Sequence, residues 1–238
     1  MTKNKKAVIT GATKGIGRAI TLKFAAQGFD VAICARNAKD LKAFQLLLNK
    51  KFPKINVHAV ACDLSVKSQV EYFGDEIINR WNQVDVLVNN AGTFFPGKVY
   101  NEKNGTLEKL IETNLYSAYH LTRYLIKGFI KQKSGHIFNL CSTASIRPYP
   151  AGGSYGITKF ALLGFSKNLR EELKPHNIKV TSVIPGATWT PSWLSAGLPE
   201  GRFIPAEDIA ELIWSCYNLS PQTVVEEILI RPMKGDIE

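Results

Sequence analysis

The chain has 238 residues, 45% of them hydrophobic, and a formal net charge of +10. That length suits one domain with a sizeable core, and no apolar run reaches the roughly 18 residues of a membrane span. The basic start Met1-Thr2-Lys3-Asn4-Lys5-Lys6 leads directly into a strand with no apolar signal segment, which points to a cytoplasmic protein.

Short apolar runs bounded by turns predict strands over Lys6–Thr10, Val31–Ala35, Val57–Ala61, Val84–Val88, His136–Leu140, Lys179–Ile184 and Glu227–Ile230. Between them, amphipathic stretches predict helices over Gly15–Gln27, Ala38–Lys51, Lys67–Asn82, Leu107–Lys131, Ser154–Leu173 and Ala206–Asn218. This alternation predicts an α/β fold: a doubly wound, seven-stranded parallel sheet of Rossmann type with helices on both faces. We read residues 1–238 as a single domain, with a cofactor-binding half to about residue 140 and a catalytic half beyond it. The long stretch from Pro185 to Pro205 is expected to act as a substrate lid. Dispersed lysines, such as Lys39, Lys42, Lys50 and Lys51, read as solvated helix faces, so neither nucleic acid nor membrane is expected as a partner. Cys34, Cys62, Cys141 and Cys216 lack metal-ligand or C-x-x-C spacing, so buried reduced thiols and no metal are expected.

After the first strand comes Thr10-Gly11-Ala12-Thr13-Lys14-Gly15-Ile16-Gly17, a glycine turn opening a helix. Such a turn can cradle a pyrophosphate: Gly11 for the tight turn, Gly15 for close phosphate approach, Gly17 for helix–strand packing. The spacing is G-x3-G-x-G, not the commoner G-x-G-x-x-G. At the carboxyl end of the second strand stands Arg36, and Lys14 lies in the glycine turn; together they suit a ribose 2′-phosphate. Asp30 begins that strand, about 16 Å away at 3.3 Å per residue, and is read as a turn carboxylate.

Further along, Ser142, Tyr155 and Lys159 stand in the spacing S-x12-Y-x3-K. On a helix Tyr155 and Lys159 share one face, and an ammonium near a phenol favours the phenolate. The thirteen-residue step to Tyr155 selects Ser142 over Thr143 and Ser145.

Together with Asn89-Asn90-Ala91-Gly92, Asn114 and Pro185-Gly186-x3-Thr190, these motifs resemble the short-chain dehydrogenases/reductases over nearly the whole chain. The stretch Pro185 to Trp193 and the tail Thr223 to Pro232 also look like the bacterial sepiapterin reductase branch. The resemblance implies that Tyr155 protonates a carbonyl oxygen, Ser142 holds it, Lys159 also bonds the nicotinamide ribose, and Asn114 anchors a relay water. It further implies cofactor contacts from Gly11, Thr13, Lys14, Gly15, Ile16, Gly17, Arg36, Asp63, Leu64, Asn90, Ala91, Gly92, Tyr155, Lys159, Pro185, Gly186, Thr188 and Thr190. Asp63 would accept from the adenine amine, although a helix N-cap role for it competes with Ser65. Asn89 is expected to stabilise the sheet. Relatives with basic residues at positions like 14 and 36 generally use NADP, so NADP(H) is the expected cofactor.

Phe94, Phe95, Tyr149, Trp189 and Trp193 are the expected substrate walls, favouring a small, flat or apolar carbonyl compound, although aromatic clustering in the lid also suits plain packing. The leading expectation is an NADPH-dependent carbonyl reductase of sepiapterin or diketone type. An alternative is a 3-oxoacyl-acyl-carrier-protein reductase, against which the tail lacks that group's hydrophobic-Asp-Gly-Gly ending. A third reading, a non-catalytic NADP-sensing protein, is opposed by the retention of Tyr155 and Lys159. Two long helices, Leu107–Lys131 and Ser154–Leu173, resemble the pair that forms dimer interfaces in the family, so a homodimer or homotetramer is expected.

Overall fold

The computed structural model describes residues 4–81 and 83–237. The expectations that fall on Met1 to Lys3 and on an Asn82 helix end therefore lie outside the described residues.

Seven strands form one parallel sheet in the order β3-β2-β1-β4-β5-β6-β7. They are β1 (Lys6–Thr10), β2 (Asp30–Ala35), β3 (Val57–Ala61), β4 (Val86–Asn89), β5 (Gly135–Leu140), β6 (Ile178–Pro185) and β7 (Glu227–Ile230). Their register is parallel throughout, as in Ile9 opposite Ile33 on one side and Val88 on the other. The helices are α1 (Gly15–Ala26), α2 (Ala38–Lys51), α3 (Lys67–Arg80), α4 (Thr106–Ile111), α5 (Ser117–Gln132), α6 (Gly153–Leu173) and α7 (Ala206–Tyr217).

Alternation along each strand divides the core in two. In β1, Ala7 and Ile9 face α1, α2 and α7, where Phe24, Phe44 and Ile213 are buried. Val8 faces the other layer, with Phe73 of α3, Leu125 of α5 and Leu169 of α6. Strands buried on both faces read as unbroken apolar runs, which is why their positions were legible.

Several expected elements differ. The helix foreseen over Leu107–Lys131 is interrupted by a π turn at Glu112–Tyr116, where Ser117 N–H reaches back to the Glu112 carbonyl. A single inserted residue makes such a turn, and the apolar period barely registers it. The fourth strand also starts two residues later than foreseen and takes in Asn89, while β6 takes in Pro185.

The sheet order reverses between β1 and β4, and ligands in such sheets bind at the carboxyl ends beside that point. Here the two strand ends are laced together. Thr10 Oγ1 accepts from the backbone N–H groups of Asn90 and Ala91, each at 2.9 Å. Asn90 Nδ2 donates back to the Thr10 carbonyl at 2.8 Å and the Gly11 carbonyl at 3.2 Å.

Candidate active site

The glycine turn is shaped by contact on every side. Gly11 adopts φ +64, and a Cβ there would stand 3.0 Å from Asn90 Nδ2. Gly15, at φ +52, lies beneath Thr190, whose Cγ2 would be 2.8 Å from an added Cβ. The segment after β6 therefore crosses directly over the turn. At the start of α1 no side chain caps the helix, and its first turn holds no acidic residue. Unpaired N–H groups and the positive end of the helix dipole thus face the crevice, the arrangement that receives a phosphate. Ile16 packs partly into the core, and Thr13 sits half-buried between it and Ala12.

Arg36 follows β2 with its side chain exposed. Lys14 is not free beside it: its Nζ pairs with Asp40 of α2 at 3.1 Å. Asp63 does not cap α3, which Val66 precedes; it opens the turn before it, its carbonyl accepting from the Val66 N–H and its Oδ1 from the N–H and hydroxyl of Ser65. Leu64 is buried beside it. Asp30 accepts from Asn4 Nδ2 and from the Asn56 N–H, so it closes the amino end of the sheet, as its position suggested. Asn89 Nδ2 donates to Thr122 Oγ1 and Asn139 Oδ1, a sheet-stabilising role.

Tyr155 lies in the first turn of α6 and Lys159 one turn later. Lys159 is 6% exposed, and its Nζ donates to the Leu140 carbonyl at the end of β5, at 2.8 Å, while standing 5.7 Å from the Tyr155 ring centre. Gly92 approaches the same ammonium, since a Cβ there would be 3.7 Å from it. Ser142 follows β5. Its Oγ accepts from Ala144 N–H at 3.1 Å, and Ser145 Oγ accepts from Ser142 N–H in return. Ser145 is buried in that reciprocal cap, which leaves Ser142 as the serine at the crevice.

Asn114 sits inside the π turn, 1% exposed. Its Nδ2 donates to Thr158 Oγ1 at 3.1 Å, and that hydroxyl donates to the Tyr155 carbonyl at 2.8 Å. The chain Asn114–Thr158–Tyr155 therefore joins the π turn to α6. Thr158 and Thr10 were not singled out as site residues, though both fall inside motifs that were. Glu102, also missed, accepts from the backbone N–H and the hydroxyl of Ser154; an acid 52 residues upstream carries no sequence signal.

Among the expected substrate walls, Phe94 packs edge-on against Tyr155, with ring centres 4.9 Å apart. Tyr149 also stands near Tyr155, and burial followed by that neighbour pushes its phenol well above the usual range. Phe95 is exposed. Trp189 and Trp193 both pack on Phe203, at 5.1 and 5.2 Å, so both pack within their own segment. The segment from Pro185 to Pro205 is pinned by Trp189 N–H to the Ile204 carbonyl and Ile204 N–H to the Ala187 carbonyl. The Thr188 hydroxyl donates to the Gly186 carbonyl, whereas Thr190 faces Gly15. All four cysteines are free and buried. Among the described residues no helix is long and apolar enough to cross a membrane, and no cluster of potential metal ligands occurs.

A dinucleotide-type crevice with a tyrosine–lysine pair at its floor defines a class of nucleotide-dependent oxidoreductases. Comparison with known proteins narrows it: residues 5–198 match the short chain dehydrogenase family, and the chain belongs to that family. It is 32% identical over 239 residues to a sepiapterin reductase of Chlorobaculum tepidum, covering 97% of each chain. It is also 32% identical over 183 residues to a 3-oxoacyl-acyl-carrier-protein reductase of Staphylococcus epidermidis, covering 77% of this chain and 75% of that one. Among solved structures, a metagenomic short-chain oxidoreductase in complex with NADP superposes with a TM-score of 0.83 at 31% identity, covering 96% of this chain and 97% of the other.

Proposed function

We propose that this protein is an NADP(H)-dependent oxidoreductase, acting as one domain, that reduces a ketone, diketone or sepiapterin-like carbonyl to an alcohol. The observation that carries the reading is Lys159, a buried ammonium tethered to the end of β5 one helical turn from Tyr155. Support for the cofactor comes from the uncapped start of α1, the exposed Arg36 and the NADP-bound relative. In this reading Gly11, Thr13, Gly15, Ile16 and Gly17 hold the diphosphate, and Lys14 and Arg36 the 2′-phosphate. Asp63 and Leu64 flank the adenine, Asn90 to Gly92 the adenosine ribose, and Pro185, Gly186, Thr188 and Thr190 the nicotinamide.

When bound, NADPH would supply the hydride. Tyr155 donates a hydrogen bond to the substrate oxygen and passes its proton as negative charge grows there. Ser142 Oγ accepts from Ala144, which leaves its own proton to donate to the same oxygen. The Lys159 ammonium, 5.7 Å from the Tyr155 ring centre, offsets the negative charge left behind. Asn114 holds the walls on either side of the tyrosine in place.

Association through α5 and α6 belongs to the same proposal. Tyr116, Ile157 and Phe160 expose large apolar surface there, and Tyr119, Ile126, Phe165 and Leu169 line a groove between the two helices. Light scattering that finds only a 26.4 kDa species would count against it.

The test is oxidation of NADPH by wild type and Tyr155→Phe against sepiapterin, aromatic diketones and acetoacetyl thioesters. Tyr155-dependent turnover of a ketone supports the proposal. Preference for the thioester moves the chain to the carrier-protein reductase reading, and tight NADPH binding with no turnover moves it to a sensor.

A further inference from the structure

Glu102 lies between β4 and α4, yet it closes the amino end of the helix that carries Tyr155 and Lys159. Gly152, which precedes α6, has no side chain to offer its N–H groups. Glu102 takes that place: Oε1 accepts from the Ser154 N–H at 2.9 Å, and Oε2 accepts from the Ser154 hydroxyl. A carboxylate there satisfies a donor the helix cannot pair internally and sits at the positive end of its dipole. The fit leaves no slack, because Gly153 adopts φ +36 and any Cβ on it would run into the Glu102 carboxylate.

The same segment grips the start of α6 at two further points. Phe94 packs on the Tyr155 ring, and Gly97 N–H donates to the Ala151 carbonyl at 3.2 Å. At its near end the segment is tied to Asn114 through Thr93. A wall that carries two expected substrate aromatics is thus fastened to the residue immediately before the tyrosine.

We propose that Glu102 is a positioning residue for Tyr155, acting through Ser154. Without the carboxylate the first turn of α6 loses its cap and frays, and the phenol moves with it. The inference rests on Tyr155 being the proton donor. Misplacement by about 1 Å costs on the order of a hundredfold in rate, so partial fraying predicts a kcat loss of about tenfold or more.

The experiment measures kcat, KM, NADPH affinity and thermal midpoint for wild type, Tyr155→Phe, Glu102→Ala, Glu102→Gln, Ser154→Ala and the double variant Glu102→Ala/Ser154→Ala. Glu102→Ala is expected to lower kcat with NADPH affinity unchanged. Glu102→Gln keeps an acceptor for the Ser154 N–H and should recover most of the rate. Ser154→Ala loses only the hydroxyl contact and should fall less; in the double variant it should add nothing, since the hydroxyl has already lost its partner. If Glu102→Ala does not fold, a Ser154→Ala variant with wild-type kcat overturns the proposal. Additive losses, or a lower thermal midpoint with unchanged kcat, also overturn it. Activity that needs Tyr155 but ignores Glu102 sinks this inference alone. Wild-type inactivity, or full activity in Tyr155→Phe, sinks the catalytic reading and this inference together.

Discussion

Asn114 clasps Thr93 by both ends of its amide. Its Oδ1 accepts from the Thr93 N–H at 2.7 Å, and its Nδ2 donates to the Thr93 carbonyl at 3.0 Å. Only an amide can do both, since a carboxylate lacks the donor and an apolar side chain lacks each. Asn114→Ala leaves buried polar groups unpaired, with an expected loss of about 1–3 kcal/mol in stability. Asn114→Asp should keep the contact to the Thr93 N–H and lose the donors to Thr93 and Thr158. Urea unfolding should rank the two variants as both destabilised, and turnover should fall in both because Thr158 and Tyr155 share the chain. Stability equal to wild type in Asn114→Ala would show that the clasp contributes nothing.

Thr190 over Gly15 gives a second prediction. Gly15→Ala puts a Cβ 2.8 Å from Thr190 Cγ2 and asks alanine to hold φ +52. Both effects act at the proposed diphosphate site, so NADPH affinity should drop about tenfold or more, since backbone strain of this kind costs of order 1–3 kcal/mol. Thr190→Ser removes the offending methyl and should restore part of that loss in the double variant. Fluorescence titration of NADPH checks both; no rescue at all would mean that strain, not the methyl, dominates.

The Lys14–Asp40 pair competes with a 2′-phosphate for the same ammonium. Lys14 is 64% exposed and Asp40 36%, so the pair is worth at most about 1 kcal/mol and is screened by salt. Asp40→Asn should therefore tighten NADPH binding a few-fold at low ionic strength and leave NADH unaffected. Raising the salt should erase the difference. Titrations with both cofactors at two ionic strengths decide the matter.

His136 links the fold to pH. Its Nε2 meets Thr181 Oγ1 at 2.7 Å, and that hydroxyl donates to the Val225 carbonyl, so the ring nitrogen is the donor between them. Nδ1 is buried without a partner among the described residues, and the ring stacks on Phe138. Burial, with the Lys179 charge second, pushes the imidazole down from 6.5 to about 3. The unfolded chain therefore binds a proton that the folded chain refuses. Stability from this group is complete above about pH 6.5 and is lost as pH falls towards 3, at up to about 1.4 kcal/mol per unit. His136→Gln removes that dependence, so its unfolding free energy should fall less steeply than wild type between pH 6.5 and 5. Parallel slopes for the two proteins would refute the assignment.

The seven parallel strands, the helices on both faces and the helical spacing of Tyr155 and Lys159 were legible from the chain, whereas the strand order came from the structure. Strands buried on both faces must be apolar throughout, and a step of four on a helix is one turn, so both features are local and periodic. The same holds for the glycine turn, whose conformation depends on residues adjacent in sequence. Spacing also picked Ser142 over Ser145, and in the structure Ser145 is buried within a reciprocal cap.

What only the tertiary structure decided concerns partners distant along the chain. The π turn at Asn114, the grip of Glu102 on Ser154, and the pairing that draws Lys14 towards Asp40 leave no period and no motif. Each depends on where another element ends in space. Hydrogen bonds and ion pairs act over a few ångströms and are set by the packing of whole helices, whereas hydrophobic periodicity is written along the chain itself. The sequence thus determined the strands, the helices and the glycine turn, and the tertiary structure determined what holds Asn114, Ser154 and Lys14 in place.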